Sequence, residues 1–242
     1  MTTIVLVHGA WGGAWSWKGT ARLLRERGFE VYAPTMTGIA ERSHVKPENV
    51  SLESHISDIA GLLRYEELEN VLLVGHSYGG MVITGAADRE PDRIAGMIYV
   101  DAFVPESGQS LWDLVGPEGA AQHRRLAQEH DGGKSVPRPP SPTALSAADA
   151  ERIDRLFTPQ PVRTLEDKFV SVRPVQNWPR RHYILCRAYA GSPFHAIAAR
   201  VKDAPGWSYG EFDALHDVVR TDPKLVADTI AEIAGKWGLA GR

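Results

Sequence analysis

The chain has 242 residues, 43% of them apolar and 24% charged, with a formal net charge of −3, which suits one ordinary globular domain with a substantial core. No basic block exceeds Arg124-Arg125 or Arg180-Arg181, so no nucleic-acid partner is expected. The lone cysteine, Cys186, allows no intramolecular disulfide, and the apolar run at residues 4–7 is too short for a signal peptide or a membrane span; a cytoplasmic chain is expected.

Short apolar runs recur at residues 4–7, 29–33, 71–74, 97–100, 183–186 and 207–212. Several are rich in β-branched residues at consecutive positions, as in strands covered on both faces of a parallel sheet. Helical spacing falls between them. One helix over residues 21–27 should stop at Gly28. Another should begin at Thr221-Asp222-Pro223, with Leu225, Val226, Ile230, Ile233 and Trp237 on one face. The alternation predicts an α/β fold with a mostly parallel six-stranded sheet and helices on both faces.

The alternation breaks over residues 105–180, which contain a proline-rich stretch at 136–142 and a short predicted helix at 147–157. Such a long excursion inside a domain usually has structure or function of its own. It is read as a cap inserted over the C-terminal edge of the sheet, between core segments 1–104 and 181–242. The bland alternative is a disordered surface loop.

The strongest chemical signal is Gly75-His76-Ser77-Tyr78-Gly79-Gly80, directly after the run at 71–74 and before a helical segment at 81–88. A G-x-S-x-G between strand and helix makes a sharp turn that exposes the serine hydroxyl, and its glycines relieve crowding there. Ser77 is the expected nucleophile. A serine hydroxyl needs a base, and of nine histidines His216 is favoured because it follows the last predicted strand, at the sheet edge that carries Ser77. His44, His55, His123, His130, His182 and His195 are read as surface or cap residues, and His76 as pointing elsewhere. An oxyanion would need backbone N–H donors. Tyr78 should supply one and Ala10 the other, from the glycine-rich loop His8-Gly9-Ala10-Trp11-Gly12-Gly13. G-x-G-x-x-G is absent and no acidic residue ends the second strand, so no dinucleotide cofactor is expected.

His8-Gly9-Ala10-Trp11, Pro34-Thr35-Met36-Thr37-Gly38 with Glu41-Arg42-Ser43-His44, Gly75 to Gly80, and His216-Asp217 together resemble the α/β-hydrolase superfamily. Within it the chain is similar to small bacterial esterases related to plant methylesterases and hydroxynitrile lyases. The resemblance implies that fold, no metal or organic cofactor, and hydrolysis of esters, amides or carbamates, carbendazim among them. Many relatives place the acid of the triad after the strand at 183–186, but here Arg187 to Ser192 holds no carboxylate. Asp101, at the end of the run at 97–100, lies at the same sheet edge as Ser77 and is the candidate acid, with Asp213 as fallback.

Trp11, Trp15, Phe103 and Trp112 are candidates to line an aromatic substrate pocket. Three readings follow: a serine hydrolase acting on a small aromatic ester or carbamate, a non-catalytic ligand receptor on the same scaffold, and a hydroxynitrile lyase. The lyase is disfavoured because the plant lyases carry a threonine and a lysine where this chain has Gly9 and Asp217. A small-molecule partner is expected, and apolar residues on the cap leave pairing with a second copy open.

Overall fold

In a computed structural model of the protein, residues 2–140, 146–171, 173, 178–239 and 241 are described. In chain order the first half comprises β1 (Thr3–Val7), α1 (Lys18–Glu26), β2 (Glu30–Tyr32), α2 (Leu52–Tyr65), β3 (Val71–His76), α3 (Gly79–Arg89) and β4 (Ile94–Val100). An insert follows, made of α4 (Leu111–Asp131), β5 (Ser135–Val136), α5 (Ala147–Asp154), β6 (Gln160–Pro161) and α6 (Arg163–Glu166). The chain returns through β7 (Arg180–Cys186), α7 (Phe194–Val201), β8 (Trp207–Phe212), α8 (Val218–Thr221) and α9 (Pro223–Lys236). No described helix is long and apolar enough to cross a membrane.

Six strands pair in the order β2-β1-β3-β4-β7-β8, every neighbour parallel. The consecutive apolar positions of the central strands supply both faces of this sheet. Val5, Val7, Val71 and Leu73 enter the core shared with α2, α3 and α7. Ile4, Leu6, Leu72 and Val74 enter the opposite core with α1 and α9. All eight are fully buried, as period-two alternation between two covered faces requires.

The predicted helix stop at Gly28 and helix start at Asp222 both hold. Gly28 adopts φ 82 after α1, and Asp222 caps α9 by accepting from Leu225 N–H at 2.9 Å, with Pro223 in the first turn. The strand expected at 29–33 is shorter, because β2 is an edge strand paired only to β1. The helix expected at 147–157 ends at Asp154. Ser141 and Pro142 of the proline-rich stretch lie outside the described residues. α4 was not anticipated: Gly116 (φ 80) and Pro117 break its helical pattern into two pieces.

The described insert is tied to the C-terminal edge of the sheet. Thr158 accepts from Ala40 N–H through its hydroxyl at 2.9 Å and donates its own N–H to Trp11 O at 3.0 Å.

Candidate active site

Ser77 sits where β3 turns into α3, at φ 54, a left-handed conformation that a side-chain-bearing residue rarely adopts. The turn is fixed from both sides. Ser77 N–H donates to Val100 O at 3.3 Å, and Ser77 O accepts from Phe103 N–H at 3.0 Å. Gly80 makes this approach possible, since a Cβ there would overlap the carbonyl oxygen of Phe103.

Asp101 follows β4, also at positive φ (44), and is fully buried. Its N–H donates to Ile184 O at 2.7 Å, and its Oδ1 accepts from Cys186 N–H at 3.0 Å. The other oxygen accepts from His216 Nδ1–H at 2.6 Å. The carboxylate thus fixes the tautomer of His216 and leaves Nε2 with its lone pair free. Asp213 does not compete for this place: it is exposed and pairs with Arg187 at 3.2 Å.

Ser77 and His216 line one cavity of about 350 Å³, together with Ala10, Trp11, Tyr78 and Phe103. Ser77 Oγ, Ala10 N–H and Tyr78 N–H have no hydrogen-bond partner among the described residues, so the fold uses none of the three. Two aromatic candidates lie elsewhere. Trp15 packs edge-on against Phe157, 5.1 Å between centroids, and faces a separate groove with Arg220 and Pro223. Trp112 is 7% exposed, its face covered by the Arg124 guanidinium at 4.5 Å. Their rings are engaged by neighbouring side chains rather than by the cavity.

Several contributors escaped the sequence reading. Phe194 stacks on the His216 ring at 4.8 Å and 12°, and Phe103 packs on Phe194 at 4.9 Å. His76 Nε2–H donates to His216 O at 2.9 Å, so the residue before Ser77 holds the loop of the candidate base. Burial holds the His76 pKa well below the ordinary histidine value. His8 accepts from Met36 N–H at Nε2 (3.1 Å), which leaves Nδ1–H to donate to Gly9 O at 2.8 Å. Burial lowers the His8 pKa to about 4, and the neutral ring fixes the carbonyl that precedes Ala10 N–H.

His55 corrects an expectation. It is fully buried rather than at the surface: Nε2–H donates to Thr37 O at 2.8 Å, and Nδ1 accepts from Tyr78 O–H at 2.9 Å. Burial again lowers its pKa to about 4. Its position between Leu52 and Ile59, three and four residues away, was the signal available in the sequence. His123 is likewise 8% exposed and lines the cavity, whereas His44 and His130 are exposed.

Asp217, beside His216, is buried and ion-paired to Arg220 and, at 3.7 Å, to Arg138 of the insert. No cluster of metal-ligating side chains occurs among the described residues.

A parallel sheet carrying a serine on a strained strand-to-helix turn, with an aspartate-bound histidine at the same edge, defines a hydrolase class. The chain belongs to the alpha/beta hydrolase family, whose profile matches residues 4–237. It is 40% identical over 242 aligned residues to a carbendazim hydrolyzing esterase of Nocardioides sp. (strain SG-4G), covering 96% of this chain and 100% of that protein. It is 34% identical over 179 residues to putative methylesterase 13, chloroplastic, of Arabidopsis thaliana, covering 71% of this chain and 38% of that longer protein. Among solved structures, an extracellular alpha/beta-hydrolase from a Paenibacillus species superposes with a TM-score of 0.85 at 26% identity over the whole of both chains. That protein is described as sharing structural and functional homology with tobacco salicylic acid binding protein 2. The chain is a carboxylesterase-like enzyme.

Proposed function

We propose that this protein is a serine hydrolase that cleaves a small aromatic carboxylic or carbamate ester through an acyl-enzyme. The observation that carries the reading is the 2.6 Å bond from His216 Nδ1–H to Asp101, at the rim of the cavity that Ser77 shares. Its length and buried acceptor are those of a charge-assisted pair that stabilises an imidazolium.

In the proposed reaction Ser77 Oγ attacks the ester carbonyl while His216 Nε2 takes its proton. Negative charge develops on the carbonyl oxygen, and the unused N–H groups of Ala10 and Tyr78 are the donors for it. The imidazolium returns the proton to the departing alcohol. Water, deprotonated by the same Nε2, then attacks the acyl-Ser77, releasing the acid and restoring the serine. Ser77 and His216 share the cavity lining without a hydrogen bond between them, and such catalytic bonds often form or tighten only when substrate arrives.

The aromatic preference rests on the Trp11, Phe103 and Phe194 walls of the cavity. The carbamate reading draws on the activity for which the Nocardioides relative is named. The lyase reading loses support because Gly9 and Asp217 stand where the plant lyases carry a threonine and a lysine, so this chain lacks the cation that would hold a departing cyanide there.

Intact-protein mass after treatment with a fluorophosphonate tests the nucleophile. A single adduct on the wild type, absent from Ser77→Ala, is expected. An unlabelled wild type would overturn the assignment.

A further inference from the structure

The cavity that holds Ser77 and His216 has a second histidine in its wall. His123 lies in the second piece of α4, and the Trp11 ring meets it edge-on at 5.9 Å. Across the break at Gly116, Trp112 Nε1–H donates to His123 Nδ1 at 3.2 Å. An indole nitrogen can only donate, so Nδ1 is the acceptor and the ring proton resides on Nε2. The Arg124 guanidinium over the Trp112 ring helps to hold that indole in place. Burial also keeps the His123 pKa below its ordinary value, which favours the neutral imidazole at neutral pH.

The ring is therefore a built, oriented donor. Its Nε2–H has no hydrogen-bond partner among the described residues, yet it is not one of the unpartnered nitrogens sealed off from solvent. The small exposed part of His123 (8%) thus includes Nε2, in a residue that forms the cavity wall. A ligand that displaces water there without offering an acceptor leaves this N–H unsatisfied, which weakens its binding.

We infer that His123 is a specificity residue whose Nε2–H binds a neutral hydrogen-bond acceptor, such as a ring nitrogen or an ether or carbonyl oxygen, on the non-reacting part of the ester. This rests on the hydrolase reading above for the reaction itself. A neutral acceptor fits better than a carboxylate. Arg138, the cationic side chain in the described wall, is already engaged by Asp154 at 2.7 Å and by Asp217, and Leu111, Val115, Phe103 and Phe194 are apolar. The selected substrate is then a flat apolar body with one acceptor. Trp112, outside the cavity, acts through His123 as a positioning residue.

The test compares methyl benzoate with the three methyl pyridinecarboxylates, which move one ring nitrogen around the same shape. Each kcat/KM is divided by the rate of alkaline hydrolysis of that ester, to remove intrinsic reactivity. One pyridine isomer should be preferred by about tenfold in the wild type. His123→Phe, which keeps a ring but removes both nitrogens, should bring that ratio near unity. His123→Gln, which restores a donor, should recover part of it, and Trp112→Phe should lower it.

The same four esters, titrated calorimetrically into Ser77→Ala and Ser77→Ala/His123→Phe proteins, give a binding readout independent of turnover. Equal handling of all four esters by the wild type, or a preference that survives His123→Phe, would overturn the proposal. Failure of the serine reading shows separately, as turnover that persists in Ser77→Ala.

Discussion

Trp11 N–H donates to the side-chain oxygen of Gln160 at 2.9 Å, joining the loop after β1 to a residue 149 positions away in the insert. Two further bonds reinforce the junction, from Trp11 Nε1–H to Val136 O at 2.8 Å and from Thr158 N–H to Trp11 O at 3.0 Å. They hold Trp11 at φ 63, one residue beyond the Ala10 N–H. Gln160 is fully buried, and its Nε2 donates to Thr164 Oγ1 at 2.6 Å. The insert therefore shapes the cavity and also fixes the backbone expected to meet the oxyanion. Gln160→Met should lower kcat by about 10-fold to 100-fold with a smaller change in KM, because a displaced donor weakens transition-state binding most. Steady-state kinetics on an aryl ester would show this split, and an unchanged kcat would sever the link.

Asp101 accepts through both oxygens, so its replacement by asparagine disturbs both partners. An amide nitrogen facing His216 Nδ1 would force the wrong tautomer and occupy Nε2 with a proton. A fall in kcat on the order of 10⁴ is expected for Asp101→Asn, with the serine still present but poorly activated. Fluorophosphonate labelling should slow in parallel with turnover.

His8 and His55 are buried as neutral rings, with folded pKa values lowered from 6.5 to about 4. Above pH 6.5 neither form of the protein binds a proton there, and the stability they permit is fully present. Between about pH 6.5 and 4 the unfolded chain takes up protons that the folded chain refuses, so stability falls with pH. Each histidine should remove about 2 kcal/mol by pH 5. His76, lowered in the same direction, adds to the loss. Urea midpoints at pH 7.5 and pH 5 would measure it, and His55→Gln should flatten the dependence.

Gly80 and Gly61 should answer alanine in opposite ways. At Gly80 a methyl group collides with the Phe103 carbonyl, and the elbow must open. A loss above about 3 kcal/mol, with little activity left, is expected. At Gly61, inside α2, a Cβ meets nothing within 4 Å, so the substitution should gain up to about 1 kcal/mol from helix propensity. Thermal melts of the two variants give the comparison directly.

The strands and Ser77 were legible because their signals are local. Consecutive apolar runs mark two-sided burial, and the elbow carries its glycines beside the candidate serine. His216 and Asp101 became candidates through topology, since parallel strands deliver the residues after them to one edge. What escaped depends on contacts between distant segments. Phe194 reaches His216 only through the packing of α7, and Trp15 and Trp112 turn toward neighbours that no spacing rule reveals. α4 was hidden by its own break at Gly116-Pro117, and His55 by its polarity despite core spacing with Leu52 and Ile59.

The most direct test of the central claim is a pre-steady-state measurement with p-nitrophenyl acetate, coupled to intact-protein mass at rapid quench. The account predicts a burst of p-nitrophenol approaching one equivalent per chain and an acetyl adduct mapped to Ser77. Both should be lost in Ser77→Ala and strongly slowed in His216→Ala. Turnover that continues in Ser77→Ala, with no acyl species on the wild type, would contradict it.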